Sequence, residues 1–221
     1  MCHFTIGIIY QLPSWPISRS NGCISSQDGS ATLFPPKDSA ITGDRLKPFT
    51  VTRQQIMTIY PIVRYPDPRL ALPAQPVTVF DDALRDLARD LLDTMHAAPG
   101  IGITAPHVGI SLRVVVLDLD PIDGARTYVN PEIAWASPDM IMHQEGSVSM
   151  PGVNDDIRRH ARVRISYRDV HGNAHTEDSE GLRAVCHQHE IDQLNGMFWI
   201  QRLSRLKRER LIKRFEKVLR G

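Results

Sequence analysis

The segment Ser179-Glu-Gly-Leu-Arg-Ala-Val-Cys-His-Gln-His-Glu-Ile-Asp-Gln-Leu-Asn195 decides how this chain reads. Leu182, Val185, Cys186, His189 and Gln193 fall on one face of a helix, and Gly196 stops it. Within that helix, His189-Glu190-Ile191-Asp192-Gln193 is one residue short of H-E-x-x-H. In the full pattern two imidazoles, at i and i+4, project from one helical face onto a metal ion. The Glu beside the first then acts as general base on metal-bound water. Here the second imidazole is an amide. A solitary His-Glu pair on a helix is more often a surface or satisfied core feature, so the chemistry needs support from other segments.

Working outward, Asp81 or Asp82 caps an upstream helix that carries Leu84, Leu87, Ala88, Leu91, Leu92 and Met95 on one stripe and stops at Pro99-Gly100. Arg113 to Leu119 is a β-branched run ended by the turn Pro121-Ile-Asp-Gly124, and Tyr128, Val129 and Ile133 suggest further short strands around Pro131. Arg162 to Val170 alternates, with Val163, Ile165 and Tyr167 on one face, and His171-Gly-Asn-Ala174 reads as a hairpin turn. Downstream, a last helix begins near Ser204, with Leu211, Phe215, Val218 and Leu219 as its apolar stripe.

The 221 residues suit one domain of ordinary size plus an extension. Residues 1–56 are rich in Ser, Pro, Thr and Gly without periodicity, and read as a disordered leader or as a start misplaced upstream of Met57. A targeting peptide fits less well, since Arg19 is the only Lys or Arg before Lys37. Residues 57–221 form the ordered domain. Three cysteines, Cys2, Cys23 and Cys186, have neither zinc-like nor disulfide-like spacing, which points to a reducing cytoplasm. No apolar run approaches the roughly 20 residues that span a bilayer. A net charge of +1 argues against a global nucleic-acid or acidic-substrate binder, although nine Lys or Arg against two Glu crowd the segment from Gln201 onward.

Two further motifs support the helix: Gly100-Ile-Gly-Ile-Thr-Ala-Pro-His107 and Glu145-Gly-Ser-Val-Ser-Met-Pro151. In this order the three resemble the signature motifs of peptide deformylases, G-x-G-x-A-A-x-Q, E-G-C-L-S and H-E-x-x-H. The resemblance also takes in Tyr65-Pro-Asp-Pro-Arg-Leu70, the strand Arg113 to Asp118, Arg159 and the last helix, which is nearly all of Tyr60 to Gly221. It implies an α+β fold, with small mixed or antiparallel sheets around the central helix and a C-terminal helix. It also implies metal-dependent hydrolysis of the N-formyl group from the initiator methionine of nascent chains, with Fe, Ni or Zn as the ion. By the same resemblance His189 is a metal ligand and Glu190 the general base. Gly102, Ile103 and Arg159 lie toward the bound peptide. The chain departs from the pattern at its most sensitive places: Ser147 replaces the ligand Cys, Gln193 the second ligand His, and His107 the oxyanion-stabilising Gln.

A neutral hydroxyl and an amide oxygen are poor substitutes for thiolate and imidazole. If a full site holds its ion by roughly 10 to 16 kcal/mol, losing two good donors weakens it by about four powers of ten. The expectation is weak or absent metal and impaired or lost deformylase activity. Three alternatives stand beside it. One is a non-catalytic protein that binds peptide, or contacts the ribosome through the basic C-terminal helix. Another is a metallohydrolase that recruits His107, His189 and His187 or His143 in a shifted geometry. The third is a metal-free amidase in which Ser147 and His189 meet as nucleophile and base.

Overall fold

Asp81 accepts a hydrogen bond from the Leu84 N–H at 3.1 Å and caps α1, Asp82–Ala97. The structure is a computed structural model that describes residues 58–220; the leader expected over 1–56 lies outside the described residues. Leu84, Ala88, Leu91 and Met95 recur at helical steps, and all four are buried. Leu84, Leu91 and Met95 sit in one core with Ile103, Val114, Val116 and Val129 of the sheet.

Seven strands follow: β1 Gly102–Thr104, β2 Val114–Leu117, β3 Arg126–Ala136, β4 Met140–Ser147, β5 Met150–His160, β6 Arg162–Arg168 and β7 Ala174–Glu180. Five of them make an antiparallel sheet in the order β1-β2-β3-β6-β7, while β4 and β5 pair apart as a two-stranded ribbon. The short strands expected around Pro131 are one continuous strand, β3. A register shift between Val129 and Glu132 places Pro131 at a bulge, where its missing N–H costs no ladder bond. Asn130 takes a positive φ of 51° there, and its side-chain amide replaces a strand partner by bonding both the N–H and the C=O of Val77 at 2.8 Å.

β7 extends through Ser179 and Glu180, so the central helix α2 covers Gly181–Leu194, starting at Gly181 rather than Ser179. Ala184 and Ile191 of α2 pack on Val163 and Ile165, and Val185, Cys186 and Leu194 on Val115, Leu117 and Tyr128. Its opposite side meets β5 of the ribbon. The helix is buried on every side from Ala184 to Leu194, which is why its polar residues are enclosed rather than solvated. The last helix, α3 (Arg205–Val218), is capped by Ser204 and sends Leu211 and Phe215 into a cluster with Met150, Val153, Ile157 and Trp199. Val218 and Leu219, expected in the same stripe, stay 48% and 64% exposed because the helix runs out there. The fold is α+β. Among the described residues no helix is long and apolar enough to cross a membrane.

Candidate active site

The polar residues of α2 face the end of β4 and the turn after β1. His189 donates from Nδ1 to Glu145 Oε2 at 2.8 Å. Glu145 is held in turn by a two-pronged contact from Arg159, at 2.7 and 2.8 Å. Arg159 also bonds Asp192, which Arg202 engages from the far side at 2.9 Å. This chain of charges fixes the plane of the His189 ring and leaves its Nε2 for the site, the usual arrangement behind a metal-binding imidazole. Burial would raise the Glu145 carboxyl, but hydrogen bonds from Arg159 and His189 outweigh it and hold the group at about 2. Burial also opposes protonation of His189, yet the Glu145 hydrogen bond and charge raise its pKa.

The neighbouring positions are arranged differently. A register shift between Glu145 and Ser147 leads into the turn to β5, where the Ser147 hydroxyl accepts from the Ser149 N–H at 3.1 Å. Gln193 Nε2 donates to the Leu70 carbonyl at 2.8 Å and ties α2 to the short 3-10 helix Pro68–Ala71. Among the described residues no hydrogen bond joins Ser147 to His189, or either of them to Gln193.

Among the described residues, two buried polar atoms of the site have no partner, His107 Nε2 and Glu190 Oε2. On its other edge, His107 Nδ1 accepts from the Thr104 N–H at 3.0 Å, with the Thr104 hydroxyl 2.9 Å away. Burial, helped by the charge of His189, pulls the His107 pKa down to about 3. Burial pushes Glu190 up to about 7, against the attraction of His189 and with the repulsion of Glu145. Gly102 makes room for Glu190, since a Cβ there would stand 2.5 Å from Glu190 Oε1.

A family model for polypeptide deformylase matches residues 59–209. The chain belongs to the peptide deformylase family. It is 79% identical over 165 residues to a peptide deformylase-like protein of Bradyrhizobium diazoefficiens, a match spanning 75% of this chain and 97% of that one. A peptide deformylase-like protein of Brucella melitensis is 68% identical over 164 residues, covering 74% and 100%. The crystal structure of a peptide deformylase from Legionella pneumophila superposes with a TM-score of 0.70 at 38% identity, covering 74% of this chain and 96% of that one.

The deformylase family is metal-dependent and acts on formylated N-termini of nascent chains. Of the three positions that the resemblance gives to the ion, only His189 carries a matching donor here. Among the described residues no group of three or more His, Cys, Asp or Glu side chains is placed to hold a metal ion. Two of the substitutes foreseen from sequence, His187 and His143, have other neighbours. His187 meets the Tyr128 ring edge-on at 4.6 Å and lies 3.6 Å from Glu177, while His143 Nδ1 lies 2.9 Å from the Gln144 carbonyl.

Two residues expected toward the peptide are in the interior. Arg159 is 2% exposed with its guanidinium spent on Glu145 and Asp192, because a charge at that depth requires opposite charges around it. Ile103 is fully buried in the α1 core, which leaves only its backbone near the site. Sequence reasoning gave no role to Glu145, Thr104 or Arg202. The first two stand inside the quoted motifs, which was the available signal; Arg202 lies beyond the helix stop and nothing local marks it.

Proposed function

We propose that this deformylase-family chain engages formylated peptide N-termini while its metal-dependent hydrolysis is lost or nearly so. One observation carries this reading: Ser147 and Gln193, at two ligand positions, bond the Ser149 N–H and the Leu70 carbonyl and offer only a neutral hydroxyl and an amide, leaving His189 as a lone imidazole. Such a donor set does not fit a divalent catalytic ion. Without the ion, Glu190 has no activated water on which to act as base.

Peptide engagement is supported by the free edge of the sheet. The Asp118 N–H bonds the Ile101 carbonyl, so antiparallel alternation turns the Gly102 N–H and C=O away from β2. β1 is an edge strand, and an extended chain can add to it there. Gly102 is thus the residue assigned to peptide backbone, and Glu190 and His107 to the polar head of the ligand. On α3, Arg210, Lys213 and Lys217 face solvent, which suits contact with ribosomal RNA phosphates.

Metal analysis of the purified full chain, together with formate release from a formyl-Met peptide, tests the reading. Substoichiometric Fe, Ni and Zn with no chelator-sensitive turnover is the expected result. The double variant Ser147→Cys, Gln193→His is expected to gain metal affinity by about four powers of ten. Tight stoichiometric metal and rapid formate release in the unaltered chain would overturn it.

A further inference from the structure

We propose that Thr104 fixes the His107 ring as a permanent Nε2–H donor, so that His107 selects a carbonyl oxygen in this pocket and is barred from metal ligation. The inference rests on the peptide-binding reading above for the identity of its ligand, but not for the state of the ring.

A backbone N–H has one hydrogen-bonding role, donation. The Thr104 N–H points at His107 Nδ1 from 3.0 Å, so Nδ1 holds a lone pair. A neutral imidazole carries one N–H, which places it on Nε2. The Thr104 hydroxyl, 2.9 Å from the same nitrogen, adds a second candidate donor. Ligating a metal through Nε2 would move the proton to Nδ1 and set two N–H groups against each other. A doubly protonated ring meets the same conflict, in accord with the lowered pKa of this buried side chain.

Among the described residues that Nε2–H is buried without an acceptor, and Glu190 Oε2 of the same site is likewise buried without a partner. A carbonyl oxygen is the complement of the His107 donor, because it only accepts. A free amino terminus is not, since an ammonium offers only donors and would face the His107 N–H. The site therefore discriminates an N-acylated terminus from a free one through His107, without a metal.

Imidazole ¹⁵N spectra of the histidine-labelled full chain are expected to show His107 as the neutral Nε2–H form between pH 5 and 8, on the order of two units clear of its lowered pKa. Isothermal titration with a formyl-Met peptide and its free-amine counterpart reads the consequence. The unaltered chain is expected to prefer the formylated peptide; His107→Phe loses about tenfold of that preference, and His107→Gln, which restores an N–H donor, keeps it. Zinc affinity is expected to be the same in His107→Phe and the unaltered chain. A proton on Nδ1, or a zinc affinity that falls with His107→Phe, overturns the inference whichever peptide binds. Equal preference in His107→Phe overturns the carbonyl role while peptide binding stands. No formyl-peptide binding by the unaltered chain overturns the reading on which the ligand assignment rests.

Discussion

On one flank of His189 the side chains hold one another, and on the other they hold the backbone. Glu145, Arg159, Asp192 and Arg202 form an unbroken run of opposite charges from the interior to the surface. Ser147 and Gln193, at comparable depth, fasten a turn and a 3-10 helix. The first flank serves the direction of one ring, and the second serves the path of the chain. Support for an imidazole can therefore persist next to positions given over to structure, because the two depend on different bonds.

Replacing Arg159 by Met strikes the first flank hardest. Glu145 would be left buried with His189 alone, and stability should fall by about 3 to 5 kcal/mol, lowering Tm by about ten degrees or more. A variant that melts like the parent would break the contrast. The same flank should show an acid step. Glu145 has a folded pKa of about 2 against an ordinary 4.5, so its contribution is complete above pH 4.5 and lost as pH falls through 2. That amounts to about 3 kcal/mol, read from denaturant unfolding across this range, and the Arg159→Met variant should lack most of it.

Effects on the second flank are smaller. Gln193→Ala leaves the Leu70 carbonyl without its donor, for a loss of about 1 to 3 kcal/mol in urea unfolding. Ser147→Ala removes one neutral hydrogen bond at a turn and should cost about 0.5 to 1.5 kcal/mol. If either matched Arg159→Met, the two flanks would be one cooperative network and the contrast would need redrawing.

How much of this was legible in the sequence depends on the range of the forces involved. α1 was legible because its cap and stripe are local, and the hairpin between β6 and β7 because alternation and a turn signal coincide. The β4-β5 ribbon was not. Its strands carry His143, Gln144, Glu145, Asp155, Asp156, Arg158 and Arg159 with no apolar alternation, since much of what they bury is charge neutralised across the ribbon and by α2. In the site, His189 and Glu190 stood out from their helical pairing. The burial of Arg159 did not, because its partners lie 14 and 33 positions away and become neighbours only on folding. The bond from Gln193 crosses 123 positions, beyond any local pattern.

The tie between Gln193 and Leu70 also constrains the mutational paths open to this chain. An imidazole at position 193 forfeits that fastening at once, while a third strong donor appears only when Ser147 has also changed. The two substitutions are useful together and harmful apart, so no succession of single improvements leads back to a three-ligand centre.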